Sequence, residues 1–137
     1  MLGEADYIVV AAPATADNIG LVGADVLARV KPGAYLVNIA RGPVIDYDAL
    51  LEALRDGRLA GAGLDVFWRE PCDPDDPLFA YNVIATPHVG GVTQESLQGI
   101  GDAVVRNIER LRRGELPANC ANPDATRWRK PGQLPVR

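Results

Sequence analysis

Residues 7–12 read Tyr7-Ile8-Val9-Val10-Ala11-Ala12 and stop at Pro13. A short apolar run with β-branched members, closed by a residue that has no N–H, is a strand signal. Its lack of alternation decides the fold class. A strand with one wet face alternates apolar and polar residues, whereas an unbroken run predicts a strand covered on both faces, as in parallel sheets. Runs of the same kind recur at 34–39, 60–65 and 82–86.

Helical patterns lie between these runs. Residues 23–30 form a short one, closed by Lys31-Pro32-Gly33. Asp46 is a suitable N-cap for a helix ending at Arg55, with Leu50, Leu51 and Leu54 on one face and Asp48, Glu52 and Arg55 on the other. Asp56-Gly57 stops it. Thr93 should cap the longest helix, which runs to Arg113 with Leu97, Ile100, Val104, Ile108 and Leu111 on its apolar face and Gly114 as its stop. Asp102 with Arg106, and Glu109 with Arg113, are spaced for i,i+4 ion pairs. Strands and helices in this order predict an α/β, doubly wound parallel sheet over residues 1–114. From Glu115 the periodicity gives way to prolines and asparagines, so 115–137 are expected to form an extended tail, mobile after Pro123.

Composition narrows the function classes. With 137 residues, 47% apolar and 23% charged, the chain is long enough for one real core. Cys72 and Cys120 are far apart and form no C-x-x-C pair, so no metal site or disulfide framework is indicated, and a cytoplasmic location is expected. No run approaches the ~20 apolar residues of a membrane helix, and no basic region precedes an apolar one at the start. Residues 106–137 hold eight of the 14 Lys and Arg and three of the 18 acids. Four of those arginines fall on the last helix beside acids, which reads as a solvated face and not as a nucleic-acid surface.

In an open parallel sheet, ligands bind beyond the carboxyl ends of the strands. After the first run comes Pro13-Ala14-Thr15, and after the second Ala40-Arg41-Gly42. The third ends in Asp65, with Trp68-Arg69-Glu70-Pro71 following, and after the fourth comes Pro87-His88-Val89-Gly90-Gly91. One Arg, one Asp, one Glu and the chain's only His converge on one edge. Singly, each has a bland reading as a turn cation, a turn cap, a loop acid or a structural imidazole. Together they suit acid–base work on a small carboxylated substrate. Histidine titrates near neutrality at ~6.5, a carboxylate can orient it, and arginine holds a carboxylate bidentately. A phosphoacceptor receiver domain would need an acidic pair after the first strand, where this chain has Pro-Ala-Thr.

Residues Asn38-Ile39-Ala40-Arg41-Gly42, Gly63-Leu64-Asp65-Val66-Phe67, Glu70-Pro71 and Thr86-Pro87-His88-Val89-Gly90-Gly91, in this order and spacing, resemble the D-isomer-specific 2-hydroxyacid dehydrogenases, of the D-3-phosphoglycerate dehydrogenase type. The likeness extends over about residues 5–123. It implies a Rossmann-type sheet, its C-terminal half only, and hydride transfer between NAD or NADP and a small 2-hydroxy or 2-oxo acid. On that likeness Arg41 would bind the substrate carboxylate, His88 would be the general acid and base, and Glu70 would orient it. Asp65 would hold the nicotinamide carboxamide. Ala12, Pro13, Ile39, Ala40, Gly90 and Gly91 match positions lining the nicotinamide half of the cofactor cleft. The family's full-length members imply a homodimer.

Two departures stand out. Ala11 occupies a position where the family usually has histidine. The family's Gly-x-Gly-x-x-Gly turn is expected ahead of residue 1, because Gly61-Ala62-Gly63 lies in a strand and Gly99-Ile100-Gly101 inside the last helix. Weak binding of NADH by the chain alone, and self-association or marginal stability, are therefore expected. An NAD-sensing co-repressor-like module and an inactive truncated piece are the alternative readings.

Overall fold

The structure is a computed structural model and describes residues 1–123. The tail expected to be mobile after Pro123 lies outside the described residues. The chain divides into two compact units, Met1–Gly90 and a second that begins at Gly91.

The first unit is built on four parallel strands, β1 (Tyr7–Val10), β2 (Ala34–Asn38), β3 (Leu59–Leu64) and β4 (Val83–Ala85), in spatial order β1-β2-β3-β4. All four expected strands are present. β1 stops two residues early: Ile39 N–H donates to Val10 O at 3.1 Å, and Ala11 and Ala12 then leave the ladder towards Pro13. Helix α1 (Ala24–Leu27) joins β1 to β2, and α2 (Tyr47–Arg55) joins β2 to β3. Asp46 caps α2 as its sequence suggests, its Oδ1 accepting from Ala49 N–H at 2.8 Å. Gly33 and Gly57, with φ of 83° and 68°, turn the chain into β2 and out of α2.

The core lies on one side of the sheet. Leu27 of α1 and Leu50, Ala53 and Leu54 of α2 close over Val10, Leu36, Ala62 and Leu64. The expectation that the strands are covered on both faces is overturned. Tyr7 is 70% exposed, Val9 58% and Ile84 73%, and Tyr7 stacks on Tyr35 on this open face with ring centroids 5.5 Å apart. The reason is topological. With each strand placed beside its predecessor in one direction, right-handed crossovers put α1 and α2 on the same face. An apolar run records that a strand can be covered, not which elements of a given chain cover it.

In the second unit α3 (Gln94–Arg112) starts at the expected N-cap, Thr93, which with Ser96 forms a capping box. Thr93 Oγ1 accepts from Ser96 N–H at 3.1 Å, and Ser96 Oγ accepts from Thr93 N–H at 3.0 Å. Gly114, at φ 75°, follows its last turn. The two i,i+4 ion pairs do not close among the described residues. Glu115 draws Arg113 instead, its Nε at 2.9 Å, together with Arg110, its Nη1 at 3.3 Å. Residues just after the helix fold back on it, with Arg110 Nε donating to Leu116 O at 2.7 Å and Ala118 N–H to Asn107 Oδ1 at 2.9 Å. Its apolar stripe, including Leu97, Ile100, Val104 and Ile108, is exposed. No helix among the described residues is long and apolar enough to cross a membrane.

Candidate active site

The carboxyl ends of β2, β3 and β4 carry the predicted residues. β2 ends in Asn38, a fully buried polar side chain whose position organises the next turn. Its Oδ1 accepts from Ala40 N–H at 3.0 Å and its Nδ2 donates to Arg41 O at 3.1 Å. Both ends of the amide are thus spent on the turn that presents Arg41. Arg41 is exposed. One of its donors, Nη1, is bound to Ala40 O at 2.6 Å, and a guanidinium has further N–H groups for a ligand. The role of Asn38 was not apparent from the sequence, although a single amide ending an apolar strand was the signal.

Gly42 follows, and it sits against backbone. A Cβ at this position would lie 2.1 Å from the carbonyl carbon of Phe67 and 2.4 Å from Trp68 N. Only glycine allows the Arg41 turn to lie directly on the loop after β3. Trp68 adds a second tie, its Nε1–H donating to Ile45 O at 2.8 Å.

That loop carries Glu70. Its Oε1 accepts from Phe67 N–H at 3.1 Å, and its Oε2 lies 2.8 Å from His88 Nδ1. The expected pairing is present, with both side chains a little over a third exposed. The imidazole contact first, then the Phe67 N–H, hold the Glu70 carboxyl below the usual carboxylate range, and the charges of His88 and Arg41 act in the same direction. Glu70 is therefore ionised at neutral pH and can only accept. His88 Nδ1 must then carry the proton of this contact, which leaves Nε2 as the ring atom available to exchange one.

Asp65, at the end of β3, is buried and turned towards the loop after β4. Its Oδ1 accepts from Thr86 Oγ1 at 2.6 Å and from Val89 N–H at 2.9 Å, and its Oδ2 accepts from Gly90 N–H at 2.9 Å. The Thr86 hydroxyl, followed by the two N–H groups, lowers the Asp65 carboxyl below its ordinary range against the opposing effect of burial. Two carboxylate oxygens offer about four acceptor positions, so three donors leave one open on Oδ2.

Two openings border these groups. One, about 270 Å³, is lined by Phe67, Glu70, Pro71, Cys72, Pro87 and His88. The other, about 430 Å³, is lined by Ala11, Ala12, Pro13, Ala14, Ile39, Ala40 and Arg41. The expected cofactor-lining residues Ala12, Pro13, Ile39 and Ala40 thus share one cleft. Gly90 lies against Asp65, while Gly91 opens the second unit, where its carbonyl accepts from Ser96 Oγ at 2.8 Å. A larger opening, about 480 Å³, lies at the opposite strand ends, around Pro32, Gly57 and Arg58, and none of the predicted site residues borders it. No group of three or more His, Cys, Asp or Glu side chains placed to hold a metal occurs among the described residues.

The chain is similar to known proteins in sequence and in fold. Residues 1–90 match the family model described as D-isomer specific 2-hydroxyacid dehydrogenase, NAD binding domain. Over 132 residues the chain is 41% identical to the glyoxylate reductase of Pyrococcus furiosus, covering 96% of this chain and 39% of that protein. It is 44% identical over 124 residues to glyoxylate/hydroxypyruvate reductase B of Pectobacterium carotovorum, covering 90% and 39%. It therefore spans about two fifths of the length of the curated relatives it matches. Among solved structures, a D-isomer specific 2-hydroxyacid dehydrogenase from Xanthobacter autotrophicus, in complex with NADPH and MES, superposes with a TM-score of 0.73 at 40% identity, covering 86% of this chain and 48% of that one. The NADPH-dependent glyoxylate/hydroxypyruvate reductase of Sinorhizobium meliloti, in complex with NADP and malonate, gives 0.74 at 38% identity, covering 84% and 36%. The parallel sheet is of the Rossmann type, and the chain belongs to the D-isomer specific 2-hydroxyacid dehydrogenases, within their NAD-binding domain.

Proposed function

We propose that this chain supplies the proton-handling and carboxylate-binding groups for the reduction of a small 2-oxo acid of the glyoxylate or hydroxypyruvate class, and for the reverse oxidation of the 2-hydroxy acid. The observation that carries the reading is the 2.8 Å contact between His88 Nδ1 and Glu70 Oε2. It fixes the ring and directs the exchangeable nitrogen away from Glu70. In reduction, His88 Nε2 delivers a proton to the carbonyl oxygen, and in oxidation it takes one from the hydroxyl. Glu70 stays ionised and holds the ring through either half of the cycle. Arg41 holds the substrate carboxylate through the N–H groups not used by Ala40 O.

The nicotinamide cofactor, NAD or NADP, supplies or accepts the hydride. The residues present fit its nicotinamide half. The cleft at the ends of β1 and β2 is walled largely by alanines and Pro13, which leave the backbone open to a flat ring, and Asp65 Oδ2 keeps an acceptor position suited to a carboxamide N–H. These contacts cost little reorganisation, because the Asp65 carboxylate is already fixed.

The test is glyoxylate-dependent oxidation of NADH and of NADPH by this chain completed with the remaining part of a matched glyoxylate reductase, and by its Arg41→Lys and His88→Gln variants. Turnover should fall steeply in both variants, with Arg41→Lys raising KM for the acid and His88→Gln lowering kcat. Turnover unchanged in His88→Gln would overturn the assignment.

A further inference from the structure

We propose that Thr86 is a positioning residue for His88, acting through the Asp65 carboxylate. The inference rests on the reading of His88 as the proton-transferring group, and it assigns the device that aims this group.

His88 has φ of 56°, in the left-handed region that side-chain-bearing residues seldom occupy. Such a conformation persists only where its surroundings fix it. Here the fixing groups stand on both sides of the imidazole in the chain. Before it, Thr86 Oγ1 donates to Asp65 Oδ1 at 2.6 Å, and Thr86 N–H donates to Leu64 O at 2.9 Å, continuing the register of β3 with β4. After it, Val89 N–H and Gly90 N–H bind the two oxygens of the same carboxylate, each at 2.9 Å. Between them His88 N–H closes a tight turn onto Thr86 O at 2.9 Å, across Pro87, which has no N–H of its own.

The loop is thus hung from β3 by one carboxylate that grips it at three points. Asp65 is itself tied to the sheet, its N–H donating to Asn38 O at 3.1 Å. Gly90 is needed for the grip, since a Cβ there would lie 2.8 Å from Asp65 Oδ2. Of the three donors, Thr86 Oγ1 alone belongs to a side chain, and Thr86 is exposed, so its hydroxyl and not its packing is what the loop uses. Without that hydroxyl the first anchor is lost and the left-handed turn is held from one side. The ring of His88 then samples orientations that do not meet Glu70.

His88 is the chain's only histidine, which allows a direct test on the protein as it stands. Imidazole 15N spectra, recorded where the ring is neutral, report the ratio of Nδ1–H to Nε2–H tautomers. In the unaltered protein the Glu70 contact favours Nδ1–H. Thr86→Val should lower the ratio by about fivefold, the effect of losing one ordinary hydrogen bond, and Thr86→Ser should restore it. A thermal melt confirms that each variant is folded. An unchanged ratio in folded Thr86→Val overturns the proposal, as does a loss of equal size in Thr86→Ser, which would assign the effect to the methyl group. The readout involves neither nicotinamide nor acid. A tautomer shift in Thr86→Val alongside turnover unchanged in His88→Gln would therefore sink the dehydrogenase reading and leave the positioning intact. Loss of turnover in His88→Gln with an unshifted ratio would do the reverse.

Discussion

Glu70 is bound at both oxygens, taking Phe67 N–H on Oε1 and the His88 imidazole on Oε2. A carboxylate anchored at one end to its own loop's backbone cannot follow the imidazole if the ring turns away, so it acts as a fixed reference for the ring. If His88 transfers the proton, His88→Gln should lower kcat for glyoxylate reduction by about a hundredfold to ten-thousandfold. Glu70→Gln should cost less, because an amide oxygen can still accept from Nδ1–H. Steady-state rates of the two variants, measured side by side, check the order. A larger loss in Glu70→Gln would reverse the roles.

Acid should weaken the fold through two of the site's own groups. Asp65 and Glu70 both have lowered pKa values, the first mainly from the Thr86 hydroxyl and the second mainly from the His88 contact. A carboxyl with a folded pKa below its unfolded value contributes stability that is complete above the unfolded pKa, roughly 4, and is lost as the pH falls through the folded one. Urea melts from neutrality down to pH 2.5 should show this loss below about pH 4. Asp65→Asn should flatten that limb. An acid limb identical in the variant would remove Asp65 from the account.

The cap on α2 gives a stability prediction independent of the site. Asp46→Ala removes the acceptor for Ala49 N–H and should cost about 0.5–2 kcal/mol, measured as a lower midpoint in urea with an unchanged slope. Asp46→Asn should keep most of it.

At the alkaline end Tyr47 is the group to follow. Burial, and then the hydrogen bond of its hydroxyl to Asp76 Oδ1 at 2.8 Å, push its pKa up to about 12. A phenol whose folded pKa is raised contributes stability that is whole below the unfolded value, roughly 10, and is lost as the pH rises through the folded one. Tyrosinate absorbance should show a late step near 12 that Tyr47→Phe abolishes.

How much of this was legible in the sequence depended on whether a feature is local. The strand runs, the Asp46 and Thr93 caps and the Gly33, Gly57 and Gly114 turns are set by neighbouring residues; the caps and turns are found where the sequence places them and the strands to within two residues. The meeting of Glu70 with His88 was legible at one remove, since both follow the carboxyl ends of adjacent parallel strands. The open face holding Tyr7 and Ile84 was not, because it follows from strand order. Nor was the bond from Thr86 to Asp65, which joins residues 21 apart through the register of β3 with β4. Asp102 and Arg106 had ideal spacing and still did not pair, because exposed i,i+4 contacts contribute too little to hold two long side chains.

Gly42 makes the spacing of the site a matter of main chain. The turn bearing Arg41 and the loop bearing Glu70 abut atom to atom at Phe67 and Trp68, with no side chain between them to lengthen or trim. On the proposed chemistry, the gap between the turn that grips the acid and the loop whose Glu70 holds the proton-moving ring is therefore a fixed gauge. Within this chain, the opening beside Glu70 and His88 is bordered by Phe67, Pro71, Cys72 and Pro87, so changes meant to alter that opening should be made at those side chains and leave the turn alone.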